Sequence, residues 1–213
     1  MDRSRTGLFA ALALTASTLC ACNVVATKAP LFSQADASPL KLHDGVWAPE
    51  DDRCRFDETK PVEAWPDCAQ PLLVRDGEFL TWQADSKTWR SDATGKILIV
   101  AGDPMILEAR DTPASSEPVY LYAGVVPKLD ASGRIIAVQV WPVLCGPPPP
   151  GPQGAPATQA GTKSPFPGMT MDAKGQTCTT RDPNALRSAA RASKGLAATG
   201  GLAGAHWVRD GER

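Results

Sequence analysis

The chain has 213 residues, 22 Lys and Arg against 23 Asp and Glu, and a net charge of −1. A near-neutral balance gives no electrostatic basis for gripping a phosphate backbone, so nucleic acid is excluded as a partner. The length suffices for one well-cored domain.

The amino terminus has the three parts of an export signal. Arg3 and Arg5 form a basic start, residues 7–19 (GLFAALALTASTL) a short apolar run, and small residues follow. A membrane-spanning helix needs about 20 apolar residues, and Asn23 and Lys28 make an extension of this run poor.

The run ends Leu19-Cys20-Ala21-Cys22. This resembles the lipobox of bacterial lipoproteins, with an aliphatic residue at −3, a small residue at −1 and the acylated cysteine. The resemblance implies a signal peptide over residues 1–21, lipidation of Cys22 and attachment to a bacterial envelope membrane. Cys20 fits less well, since it would put Leu19 at −1. Asp after the lipidated cysteine tends to hold members of this class in the inner membrane, so Asn23 favours the outer membrane, facing the periplasm. More than one acyl chain anchors stably where a single chain binds marginally.

Cys54, Cys68, Cys145 and Cys178 remain, an even number in an oxidising compartment. Three pairings are open; Cys54–Cys68 and Cys145–Cys178 are expected because each closes a local, Pro-rich excursion. A zinc site is disfavoured, because no C-x-x-C pair occurs and only His43 and His206 could assist.

Residues 22–40 carry Ala, Ser and Pro without periodicity and read as a flexible tether. From residue 41 to 213 a single β-rich domain is expected, an antiparallel sandwich or small barrel. Asp44-Gly45-Val46-Trp47 opens it. Residues 71–75 and 78–83 flank Asp76-Gly77, a tight hairpin signal. Residues 96–101 and 105–110 flank Gly102-Asp103-Pro104, and residues 118–126 and 134–144 meet across Leu129-Asp130-Ala131-Ser132-Gly133. In the latter strand Ile136, Val138 and Val140 share the more buried face; Ala137, Gln139 and Trp141 share a mixed one. Met171-Asp172-Ala173-Lys174-Gly175 repeats the Asp-Ala-x-Gly turn chemistry.

Residues 146–168 contain GPPPPGPQG and read as an extended excursion within the domain, or as a Pro-rich ligand for a partner. One helix is marked: Asp182 caps it, Pro183 suits its first turn, residues 184–194 continue it and Gly195 ends it. Ala185, Leu186, Ala189 and Ala192-Ser193 form its packing stripe. Residues 206–209 make a final short strand.

The six tryptophans 47, 65, 82, 89, 141 and 207 suit core plugs, each needing one partner for its N–H. A stacking platform for sugar or peptidoglycan is the other use; Trp89, in a polar turn, and Trp47 are its candidates. Glu50-Asp51-Asp52 lacks the spaced ligands and turning Gly of a calcium loop. His43-Asp44 and His206 could serve as bases, but no nucleophile sits in a motif such as G-x-S-x-G, and H-E-x-x-H and phosphate-loop patterns are absent. No cofactor or metal is expected.

Gly45-Val46-Trp47 near the start of a β-rich domain is similar to the Gly-x-Trp of lipocalins, whose Trp closes the barrel floor. That resemblance implies a barrel carrying a small apolar ligand; the cysteine excursion and the Pro-rich segment depart from it. The leading expectation is a non-catalytic envelope lipoprotein, structural or accessory to a larger assembly. A lipocalin-like carrier comes second and a periplasmic hydrolase third.

Overall fold

The structure, a computed structural model, describes residues 23–51, 54–91, 97–111, 119–148, 162–173, 175, 177–197 and 203–211. Cys20, Cys22, Asp52, Lys174 and residues 149–161 of the Pro-rich excursion lie outside these.

The described residues form twelve strands and one α-helix. In chain order the strands are β1 (Val24–Thr27), β2 (Gly45–Glu50), β3 (Leu72–Arg75), β4 (Glu78–Gln83), β5 (Thr88–Ser91), β6 (Leu98–Val100) and β7 (Met105–Asp111). There follow β8 (Val119–Leu129), β9 (Ile135–Pro142), β10 (Thr170–Met171), β11 (Thr177–Thr179), helix α1 (Pro183–Ala197) and β12 (Ala203–Arg209). Nine strands run β6-β7-β8-β9-β12-β2-β3-β4-β5, all antiparallel, in a sheet that curls without closing. The fold is therefore mainly β, with one helix and two disulfides, Cys54–Cys68 and Cys145–Cys178.

Local chemistry explains the hairpins. Asp76 (φ 51°) and Gly77 (φ 76°) both take the left-handed conformation that a two-residue turn between twisted strands requires. Asp130 organises the β8–β9 turn: its Oδ1 accepts the Ser132 and Arg134 N–H groups and the Ser132 hydroxyl. These bonds favour the carboxylate and hold its pKa below the ordinary 3.8, the Ser132 hydroxyl contributing most.

Period-two alternation sends side chains to two different environments. The concave face collects Trp47, Leu72, Val74, Met105, Leu107, Val125 and Val140. The convex face is covered in two places. The segment closed by Cys54–Cys68 lays Val62, Trp65 and Ala69 over Val46, Ala48 and Leu73. Helix α1, β1 and the Cys145–Cys178 bridge cover Ile106 and Tyr122 at the other end. Trp141 lies under this second cover at 1% exposure and donates from Nε1 to the Ala190 carbonyl at 2.8 Å. Gly124 is required beneath it, since a Cβ there would come within 2.3 Å of the indole. The mixed face of β9 thus divides by position: Gln139 is exposed beyond the helix, and Trp141 is sealed by it.

Four expectations need correction. Residues 23–40 are not a tether: Val24–Thr27 pairs parallel with β11 and antiparallel with β8, and Val25 and Phe32 are buried. Four residues are too short a run for periodicity to reveal, and their pairing partners lie about a hundred residues or more away. Residues 162–168 belong to the packed domain, because Phe166 N–H donates to the Cys145 carbonyl at 2.7 Å and Ser164 abuts Gly146. Helix α1 runs through Gly195, which is not left-handed, to Ala197. Its buried stripe is Ala185, Leu186, Ala189, Ala190 and Ser193, while Ala192 is exposed; the spacing of one helical face selects position 190 over 192.

Asp182 caps the helix as expected, its Oδ1 accepting the Asn184 N–H at 2.8 Å. The last strand extends to seven residues and sits centrally, between β9 and β2.

Candidate functional site

The concave face encloses an apolar cavity of about 60 Å³, lined among others by Leu42, Trp47, Leu72, Phe79, Ile99 and Val138. Apolar ligand pockets usually measure about 300–1,000 Å³, and an apolar cavity of roughly 150 Å³ already takes benzene. Side chains therefore fill most of this interior. Trp47 is 3% exposed and donates from Nε1 to the His43 carbonyl at 2.8 Å. Gly45, which precedes it by two, has φ +132°, and a Cβ there would fall 2.2 Å from the Arg209 carbonyl oxygen. Gly45 and Trp47 thus have separate local reasons: one admits the last strand closely, the other plugs the interior.

The indoles divide into two sets. Trp47, Trp65 and Trp141 are buried, and these three and Trp207 each donate to a main-chain carbonyl. Trp82 and Trp89 are half-buried, directly paired across β4 and β5, and meet edge-on at 5.2 Å. Trp89 packs on Trp82 rather than standing free.

The two histidines do not share a cleft. His206 leaves β12 on the convex side, with Nε2 2.9 Å from Glu58 Oε1 and Nδ1 3.8 Å from Glu50 Oε1. His43 stacks at 4.4 Å on Trp207, whose side chain leaves the strand in the opposite direction. Around His43, Asp130 accepts the Ser132 hydroxyl at 2.7 Å and lies 3.9 Å from His43 Nε2. In an acyl-transfer triad the base lies between hydroxyl and acid; here the acid lies between the other two. Glu50 is exposed and faces His206, and Asp51 accepts the Cys54 N–H through its carbonyl. Among the described residues no group of three His, Cys, Asp or Glu side chains is placed to hold a metal.

A buried carboxylate escaped the sequence reading. Glu108, 5% exposed on the convex side of β7, accepts the Leu31 and Phe32 N–H groups on Oε2 at 2.8 and 3.2 Å. Opposite it, the Tyr122 hydroxyl lies 2.6 Å from Thr27 Oγ1. Burial pushes the Glu108 pKa above its ordinary 4.5, outweighing the two N–H donors, and pushes the Tyr122 phenol up as well. A buried, perturbed acid is a common mark of chemistry. Here its donors are the Leu31 and Phe32 N–H groups and the Tyr122 hydroxyl, and together Glu108 and Tyr122 pin residues 27–32 to the sheet. Its face of β7 reads Ile106-Glu108-Arg110, the pattern of a solvent face, so no local signal marks the burial.

Compared with known protein families, curated proteins and solved structures, the chain finds no match. Among the described residues no helix is long and apolar enough to cross a membrane.

Proposed function

We propose that this chain is a lipid-anchored bacterial envelope protein, acylated on Cys22 and facing the periplasm from the outer membrane. Its β-domain acts as a non-catalytic structural or accessory binding module. The observation that carries the reading is the division of labour among the cysteines. The four at 54, 68, 145 and 178 are joined to one another, as suits an oxidising compartment. Cys22 stands apart from them, in a lipobox-like sequence one residue before the packed domain begins. The division between buried indoles and a half-buried Trp82–Trp89 pair supports recognition by the surface rather than by an interior site.

The test is intact-mass analysis of the chain expressed in a bacterium with its own amino terminus. The expected product begins at Cys22 and carries acyl chains, which the Cys22→Ser variant lacks. An unacylated product starting elsewhere would sink the anchor reading. Cross-linking in the intact envelope then identifies the partner.

A carrier of a small apolar ligand is the second reading, favoured by the apolar character of the interior cavity. Native mass spectrometry of the detergent-free Cys22→Ser domain tests it: a co-purifying small molecule supports a carrier, and a bare domain counts against it.

A further inference from the structure

The proposed anchor and the fold meet at a single peptide bond. Consecutive Cα atoms lie about 3.8 Å apart, and the residue after Cys22 is already inside the domain. Asn23 is 0% exposed, and its Nδ2 donates to the Gly146 carbonyl at 3.0 Å. Its own carbonyl accepts the Cys145 N–H at 3.0 Å, and Val25 N–H donates to the Val143 carbonyl at 2.9 Å. Parallel pairing with β11 and the Cys145–Cys178 bridge hold these segments together. No slack chain separates Cys22 from this scaffold.

We infer that the acylated domain sits directly on the bilayer in one orientation, with the edge around Gly146 against the lipid headgroups. This rests on the anchor reading above. The edge consists of residues 146–148 and the turn at 162–165, which the Thr162 hydroxyl shapes by accepting the Ser164 N–H at 3.1 Å. A Cβ on Gly146 would lie 2.3 Å from the Ser164 carbonyl oxygen, so the two segments are in close contact. Between Thr162 and Ser164 stands exposed Lys163, a cation suited to anionic headgroups. A flexible spacer would let the domain sample every orientation. Without one, the effective concentration of this edge at the membrane is high, and a weak attraction suffices to keep it there. Strands β3–β5 lie at the far end of the strand order from β1 and β11. They and the segment that Cys54–Cys68 closes are left for a partner.

The experiment uses the full acylated chain in vesicles of phosphatidylethanolamine and phosphatidylglycerol, with acylation verified by intact mass. A membrane-impermeant amine-acetylating reagent reports the accessibility of Lys163, with exposed Lys60 in the Cys54–Cys68 segment as reference. Lys163 should react roughly fivefold or more slowly than in the soluble Cys22→Ser domain, with Lys60 unchanged. Inserting about fifteen Gly/Ser residues between Cys22 and Asn23, a reach of about 20 Å, should restore the Lys163 rate. An acylated chain whose Lys163 reacts at the soluble rate overturns direct seating and leaves the anchor standing. Protection that survives the insertion also overturns it, and a chain without acyl mass overturns both.

Discussion

Ser193→Ala probes the junction between helix and sheet. Ser193 is 0% exposed, and its hydroxyl donates to the Ala189 carbonyl at 2.7 Å while accepting the Leu144 N–H at 2.9 Å. Leu144 faces Val24 across the sheet, but the bonds on that side are made by the residues flanking each: Val25 N–H to Val143 and Cys145 N–H to Asn23. The Leu144 N–H points the other way, toward the helix. Removing the hydroxyl orphans a buried donor, which costs about 1–3 kcal/mol. Ala is the better helix former by roughly 0.4 kcal/mol, so the net loss should be about 0.6–2.6 kcal/mol. Urea unfolding of the oxidised Cys22→Ser domain should show a lower midpoint at unchanged slope. The Leu144 amide should also exchange faster, by a larger factor than its neighbours. Equal stability with unaltered Leu144 exchange would refute the reasoning, because the hydroxyl would then not be that donor's partner.

Three further outcomes follow from the same packing. Gly195→Ala should raise stability by about 0.5–1 kcal/mol in the same urea assay, since Gly195 is within the helix and a Cβ there meets nothing within 4 Å. Val25→Ala should cost about 1–3 kcal/mol by the loss of buried methyl groups, where a free tether would give no change. Glu108 binds its proton more tightly folded than unfolded. Its contribution is therefore most favourable below pH 4.5 and is lost as pH rises through the raised folded value. The stability of Glu108→Gln relative to the parent should accordingly increase from pH 4.5 toward neutrality, and a constant difference across that range would contradict a raised value.

Where local chemistry dominates, the chain announces its own structure. Asp76-Gly77 specifies its turn by positive φ, Asp130 builds its own loop, and Asp182-Pro183 starts the helix. The pairing of Cys54 with Cys68 and Cys145 with Cys178 follows from the local excursions each closes. Glu108 bonds to main-chain N–H groups more than seventy residues away and to the Tyr122 hydroxyl on the facing strand, contacts that no spacing rule connects. The histidines carry no spacing signal either: His206 leaves β12 on the convex side, while His43, in the loop before β2, packs against Trp207, whose side chain points the other way.

By itself, the sequence determined the β-rich class, the hairpin turns at Asp76-Gly77 and Asp130, and the helix start, because these depend on backbone preference and composition within a few residues. The tertiary structure alone decided that the sheet stays open with a nearly filled interior, and that Trp141 lies beneath the helix. It also decided that residues 23–32 belong to the domain. Those outcomes depend on which distant strands pair and what covers their convex faces, and contacts of that range leave no period in the chain.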